Sequence, residues 1–321
     1  HATPFYNFIA GEKGAVRTRS NARRISLSHK TQDKMFGALL MLPAVLFVGT
    51  LIFLPVAQSV GISFTEYTLA RGQQSPDWNG FANYVHLAES GDLWNSLRVT
   101  AIFVIGVVAA LVVVAVIVAV ALNQRLPGRR LLRSVALLPW VTPTVIGALL
   151  WMWILQPQYG VANFILQSVG LMEEPISWLA NVDWALPSVM GAAFWRQFPF
   201  IFVVVLAGLQ GIPQDMYESA MIDGAGFLRR FFSITLPLLR NVIRVVILMS
   251  VIMNFRQFPL VWTMTGGGPI GRTMTLAVLS YRRSFVNLNF GRGAAVATIW
   301  LVIVLVFSIV FTRLFRAREY E

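Results

Sequence analysis

The chain has 321 residues, 56% of them apolar and only 12% charged, about half the charged share of an ordinary soluble protein. So few charges cannot cover a soluble surface, which excludes a cytosolic enzyme, a secreted domain and an intrinsically disordered chain. The absence of cysteine removes disulfide scaffolds, thiolate metal sites, iron–sulfur clusters and cysteine nucleophiles, and the net charge of +12 takes its meaning from its distribution.

Residues 1–34 are a basic segment with Lys13, Arg17, Arg19, Arg23, Arg24, Lys30 and Lys34, read as a cytoplasmic arm lying against anionic lipid. The chain starts without Met, so further residues are expected before His1. The remainder, 35–321, reads as one transmembrane domain. A hydrocarbon core of ~30 Å needs ~20 apolar residues in a helix. The window 35–63 meets that, and it is too long and too far from the start to be a cleaved signal. Residues 99–122 form an uncharged second window, followed by 135–155, 186–209, 236–254 and 294–311. Six spans make this an all-α polytopic membrane protein. Pro43 and Pro55 in the first window, and Pro139 and Pro143 in the third, predict kinks. Neighbouring helices or water would satisfy the freed carbonyls.

Lys and Arg in the loops set orientation. Besides the N-terminal segment, one side carries Arg125, Arg129, Arg130 and Arg133 after the second window, Arg229 and Arg230 after the fourth, and Arg313, Arg316 and Arg318 in the tail. The other side carries Arg71 in the first loop, none in 156–186, and Arg272, Arg282, Arg283 and Arg292 in the last loop. The imbalance places both termini in the cytoplasm and explains the net charge without nucleic acid. The last-loop arginines are the discordant feature.

The loop between the fourth and fifth windows, 213–237, reads as two short helices on the cytoplasmic face. Pro213 suits a first turn, with Asp215 and Glu218 near a positive helix end. A helix over 217–222 ends at the turn signal Asp223-Gly224, and a second helix is expected over 225–234. Ser219, Ala220, Gly224, Ala225 and Gly226 are small enough to admit another protein's backbone, although a plain connecting loop would look similar.

The spacing Glu218-Ser219-Ala220, three residues, Gly224, nine residues, Ile234-x-Leu236-Pro237 resembles the EAA motif of binding-protein-dependent ABC importers, with Ser219 in place of the first Ala. Phe194-Trp195-Arg196 with Pro199-Phe200, and Ala207-Gly208-Leu209-Gln210, are similar to the fourth span of carbohydrate importers. Phe255-Arg256-Gln257-Phe258, Leu260 and Thr265-Gly266-Gly267-Gly268-Pro269 resemble the end of their fifth span. The resemblance runs from about Leu93 to the C-terminus. It implies a type I permease fold in a bacterial inner membrane, in the manner of the first permease subunit of maltose-type systems. It also implies that Tyr217, Glu218, Ser219, Ala220, Asp223, Gly224, Ala225 and Gly226 couple to an ATPase. The implied partners are a homologous second permease, two ATPase subunits that bind ATP and magnesium, and a periplasmic or lipid-anchored solute-binding protein. The cargo implied is an oligosaccharide. Resemblance to alginate oligosaccharide importers points to an acidic one; another sugar or a glycerophosphate-type solute stays open.

This chain itself is expected to hold no cofactor or metal and to catalyse nothing. Gly266-x4-Gly271-Arg272-Thr273 nearly fits a phosphate-binding loop, but Arg272 replaces its Lys, Pro269 removes a donor, and an apolar span precedes it. His1, His29 and His86 are scattered. All fourteen acids lie in loops or tails, which disfavours a secondary transporter driven by protons or sodium. A structural subunit of another membrane complex is a third class.

Charges within spans are candidates for a substrate path. Arg196 and Arg256 lie among the polar Gln197, Asn254 and Gln257 and the aromatic Trp151, Trp153 and Trp195. Sugar C–H faces pack on rings, hydroxyls need placed donors, and arginines meet carboxylates. The same arginines also suit helix-end anchors that reach for the interface. Trp140, Trp178, Trp184 and Trp262 read as interface-belt residues, and Arg240 and Arg244 as inner anchors.

Overall fold

The computed structural model describes residues 29–69, 72, 75–123 and 134–316. The basic segment up to residue 28, Arg71, the four arginines after the second span and Arg318 lie outside them. Two compact units divide the chain, residues 1–55 and 56–321. The described part of the first holds the helix His29–Val48, with Pro43 inside it, and a π-helical turn at Gly49–Phe53.

Among the described residues five helices are long and apolar enough to cross a membrane: Lys34–Ser63, Asp92–Asn123, Ala185–Gln210, Phe227–Phe255 and Phe290–Phe315. The third window is a broken pair, Ser134–Val141 and Thr144–Ile154, bent by 105°. Pro143 causes the break. A residue before proline is driven out of the α region, and Thr142 is extended with φ −67° and ψ 126°. With that pair counted as one, the six expected spans are present.

Spans 2 and 4 run against each other through most of their length. Phe103, Val107, Leu111 and Ala115 meet a wall of Val189, Ala192, Ala193, Phe202 and Val205, all buried. Leu239 and Val246 of span 5 and Val296 of span 6 complete the core. Lipid tails are as apolar as these side chains, so close packing rather than water exclusion holds the helices together. Gly208 shows how close: a Cβ there would sit 2.8 Å from Val242 Cγ2 and 3.1 Å from Leu239 Cδ2.

Between spans the chain forms pieces the sequence periodicity did not predict. They are the helices Ala82–Glu89, Val161–Ser168, Phe258–Thr265 and Leu276–Tyr281, and a two-stranded pairing of Thr65–Glu66 with Asp77–Trp78. One discordant arginine finds its reason here. Arg283 forms an ion pair with Asp92 at the start of span 2.

Candidate functional site

Pro213, extended at ψ 134°, starts the loop helix Gln214–Ile222, three residues earlier than the expected 217–222 and where Pro213 and the acids of the first turn place a helix end. Gln214 Nε2 donates to Glu218 Oε1 at 2.9 Å, and Ser219 Oγ donates to the Asp215 carbonyl at 2.7 Å. The C-terminus is closed by two reversed bonds, Gly224 N–H to the Met221 carbonyl and Ala225 N–H to the Ala220 carbonyl. That is the Schellman arrangement, which needs a left-handed residue at the turn. Gly224 has φ +74°. The motif glycine is thus a backbone requirement.

The expected separate helix over 225–234 is not what forms. Phe227–Arg230 runs through a π-helical turn, Phe231–Thr235, into Leu236–Phe255. Proline at 237 supplies no amide, and the Leu236 N–H reaches back five residues to the Phe231 carbonyl. The loop's second helix and span 5 are therefore one rod, Phe227–Phe255. Tyr217 Oη lies 3.0 Å from Thr235 Oγ1, tying the loop helix to that rod. Behind this bond lies a cleft of about 400 Å³, walled by Asn123, Leu209, Phe227 and Arg230 among others. On the surface, Ile222 is 87% exposed and Met221, Leu228 and Phe232 are also exposed, beside open backbone at Gly224 and Gly226. Exposed apolar groups beside accessible backbone mark a docking surface.

The eight path candidates do not share one environment. Gln197 and Asn254, 2% and 3% exposed, bond to each other reciprocally across spans 4 and 5 at 3.0 and 3.1 Å. Their remaining donors go to the Ala193 and Ser250 carbonyls. Both amides are spent inside the bundle, so these two clamp helices and do not line a path. Trp151 and Trp195 meet edge to face at 6.1 Å, whereas Trp153 is exposed. Half-buried Arg196 has a buried Nε without a partner. Arg256 opens onto an apolar groove of about 350 Å³ with Val56, Phe255, Trp300 and Leu301. Gln257 is buried at the break between span 5 and the helix Phe258–Thr265.

The near-match to a phosphate-binding loop is a packed turn between two helices. Thr273 Oγ1 donates to the Gly268 carbonyl at 2.7 Å and touches Thr265 Oγ1, so it is used inside the turn. Trp178 has an internal role as well: its Nε1 donates to Asn163 Oδ1 at 2.8 Å, and its ring packs on Trp184. Asn163 carried no signal in the sequence, since its partners lie up to fifteen residues away. Arg244 sits 4.9 Å over the Phe315 ring, joining spans 5 and 6.

Residues 111–319 match the family of binding-protein-dependent transport system inner membrane components. The chain belongs to that family. It is a multi-pass membrane permease of an ABC importer, a transport subunit and not an enzyme. The permease is 36% identical to the trehalose/maltose transport system permease protein MalF of Thermococcus litoralis, over 90% of its own length and 97% of that protein. It is 32% identical to the sulfoquinovosyl glycerol transport system permease protein SmoG of Agrobacterium fabrum, over 89% and 92%. To the sn-glycerol-3-phosphate transport system permease protein UgpA of the same organism it is also 32% identical, over 85% and 92%. Its fold resembles a chain of a bacterial ABC transporter importing the acidic polysaccharide alginate, with a TM-score of 0.77, 22% identity, and coverage of 90% and 97%.

Proposed function

We propose that this permease forms half of the path of an oligosaccharide importer and takes its power stroke through the helix Gln214–Ile222. The observation that carries this reading is the construction of that helix. It is stiffened by its own side chains, closed at Gly224, bonded to the base of a 29-residue rod, and bare of cover on its apolar tip. Force applied at Ile222 would pass through Tyr217–Thr235 into span 5. Two ATPase subunits, which would hold ATP and magnesium, supply that force by closing on the loop helices of this permease and a homologous second one. An external solute-binding protein delivers the cargo to the opposite end, and both termini face the cytoplasm. The spans then rotate between inward-open and outward-open states.

The cargo class rests on the relatives, whose names cover trehalose and maltose, sulfoquinovosyl glycerol and glycerol-3-phosphate. An acidic oligosaccharide suits Arg196 and Arg256, the two arginines of spans 4 and 5 near the candidate path. The second reading, a small phosphorylated solute, is favoured by the glycerol-3-phosphate relative. The test is uptake of labelled acidic, neutral and phosphorylated cargoes by the reconstituted full complex. ATP-dependent uptake of an acidic oligosaccharide supports the first reading. Uptake of glycerol phosphates alone would replace it with the second.

A further inference from the structure

At the end of the bundle away from the loop helix, Asn95 Nδ2 donates to the Gly271 carbonyl at 2.9 Å. This bond pins the turn after span 5 onto the start of span 2 and sets Arg272 on the same cleft as Arg98. The cleft holds about 230 Å³, and its opposite wall is the start of span 4, with Asp183, Leu186 and Pro187. The wall formed by Val99 and Ile102 of span 2 is apolar.

Three features of this cleft call for a ligand. First, Arg98, Arg272 and Asp183 are all exposed, and none forms an ion pair among the described residues, although nearby Arg283 is paired with Asp92. Two guanidinium groups and one carboxylate leave the small cleft with a net positive charge, which an added anion would balance. Second, tryptophans of the kind found at headgroup depth lie beside it. Asp183 adjoins Trp184, which packs on Trp178, and tryptophans of this kind collect at the membrane interface. Third, Ile102 and Ile105 follow Arg98 at the i+4 and i+7 positions, on one helix face, and both are exposed. A charged cleft therefore opens onto an apolar track that runs down span 2 into the hydrocarbon.

We propose that this cleft seats one phospholipid with an amine-bearing zwitterionic headgroup. Arg98 and Arg272 hold the phosphate by charge-assisted bonds, Asp183 meets the ammonium, and an acyl chain lies along Ile102 and Ile105. A bound lipid would also weld the turn after span 5 to the starts of spans 2 and 4. The proposal rests on the membrane-spanning fold and not on the coupling or cargo readings, so lipid retention tests it without any transport assay.

The full importer complex, stripped of loosely held lipid in detergent, would be examined by native mass spectrometry and thermal unfolding. Dioleoyl-phosphatidylethanolamine, dioleoyl-phosphatidylglycerol and free phosphoethanolamine are the probes. The intact complex is expected to retain the ethanolamine lipid and to be stabilised by it. The glycerol lipid should stabilise it less, and free phosphoethanolamine should have no effect at equal concentration. Retention should fall about tenfold or more in Arg98→Gln/Arg272→Gln, the loss expected when at least one charge-assisted hydrogen bond is removed. Asp183→Asn, which keeps both arginines, should erase the preference between the two lipids. Equal retention by the double variant and the unaltered complex would overturn the site. Stabilisation by free phosphoethanolamine would make it a small-ion pocket and not a lipid seat. An unchanged lipid preference in Asp183→Asn would remove the ammonium contact.

Discussion

At Gly224 the backbone turns left-handed, and two amides fold back onto the helix they close. No atom lies within 4 Å of where a Cβ would stand, so a side chain there meets no clash but must bear the backbone strain, roughly 1–2 kcal/mol for an L residue. Gly224→Asp adds a charge beside the apolar tip as well. It is expected to abolish transport and substrate-stimulated ATP hydrolysis while the protein still reaches the membrane, as judged by immunoblot of washed membranes and uptake into proteoliposomes. Normal transport by this variant would remove the loop helix from the mechanism. Tyr217→Phe is a milder change. It deletes the bond to Thr235, a net loss of about 0.5–1.5 kcal/mol. The expected result is fewer cargo molecules moved per ATP hydrolysed, with thermal stability little altered. The sequence showed that these residues form a motif but not why. The reversed hydrogen bonds explain the glycine, and Tyr217 acquires its partner only because the folded loop lays its helix against the base of the rod, where residue 235 lies.

Between elements, the reciprocal Gln197–Asn254 pair is the clearest instance of a residue type read for one purpose and used for another. Polar groups in a span invite a transport reading because their burial is costly. Here two amides satisfy each other across spans 4 and 5, and their spacing of 57 residues left no local trace. Asn254→Leu is expected to destabilise the protein by about 1–2 kcal/mol, since Gln197 is then buried with its partner lost. Gln197→Leu/Asn254→Leu should recover part of that, measured by thermal unfolding of the purified protein in detergent. Strictly additive losses would show that the two side chains are not coupled. Proline effects were legible in kind but not in form. Pro143 breaks span 3 outright, whereas Pro55 and Pro237 follow π-helical turns that let the rod continue. The difference lies in the neighbouring hydrogen bonds. Leu54 and Leu236 each reach back to a carbonyl five residues earlier, while Thr142 is pushed out of the helix.

On the scale of the whole molecule, cargo charge is the property most open to test. Arg196 is half-buried and its Nε has no partner among the described residues, which makes it the residue at which to test the proposed acidic cargo. Arg196→Ala is expected to reduce uptake of an acidic oligosaccharide by about tenfold or more, the scale of one lost charge-assisted hydrogen bond, while sparing a neutral one. Equal losses for both cargoes would assign the arginine to structure. Hydrophobic run length by itself determined that the chain lives in a membrane and crosses it six times, because a helix that traverses hydrocarbon must carry its ~20 apolar residues consecutively. The spacing of Glu218, Gly224 and Pro237 likewise marked the loop for which coupling to a partner is proposed, since a turn and a helix start leave local signatures. Only the tertiary structure decided that the loop's second helix belongs to span 5, that Gln197 and Asn254 are a clamp, and that Arg98 and Arg272 face one cleft. The first rests on a π-turn bond from Leu236 back to Phe231 that carries the helix past Pro237, and the other two on residues 57 and 174 positions apart, which meet only after the helices have packed.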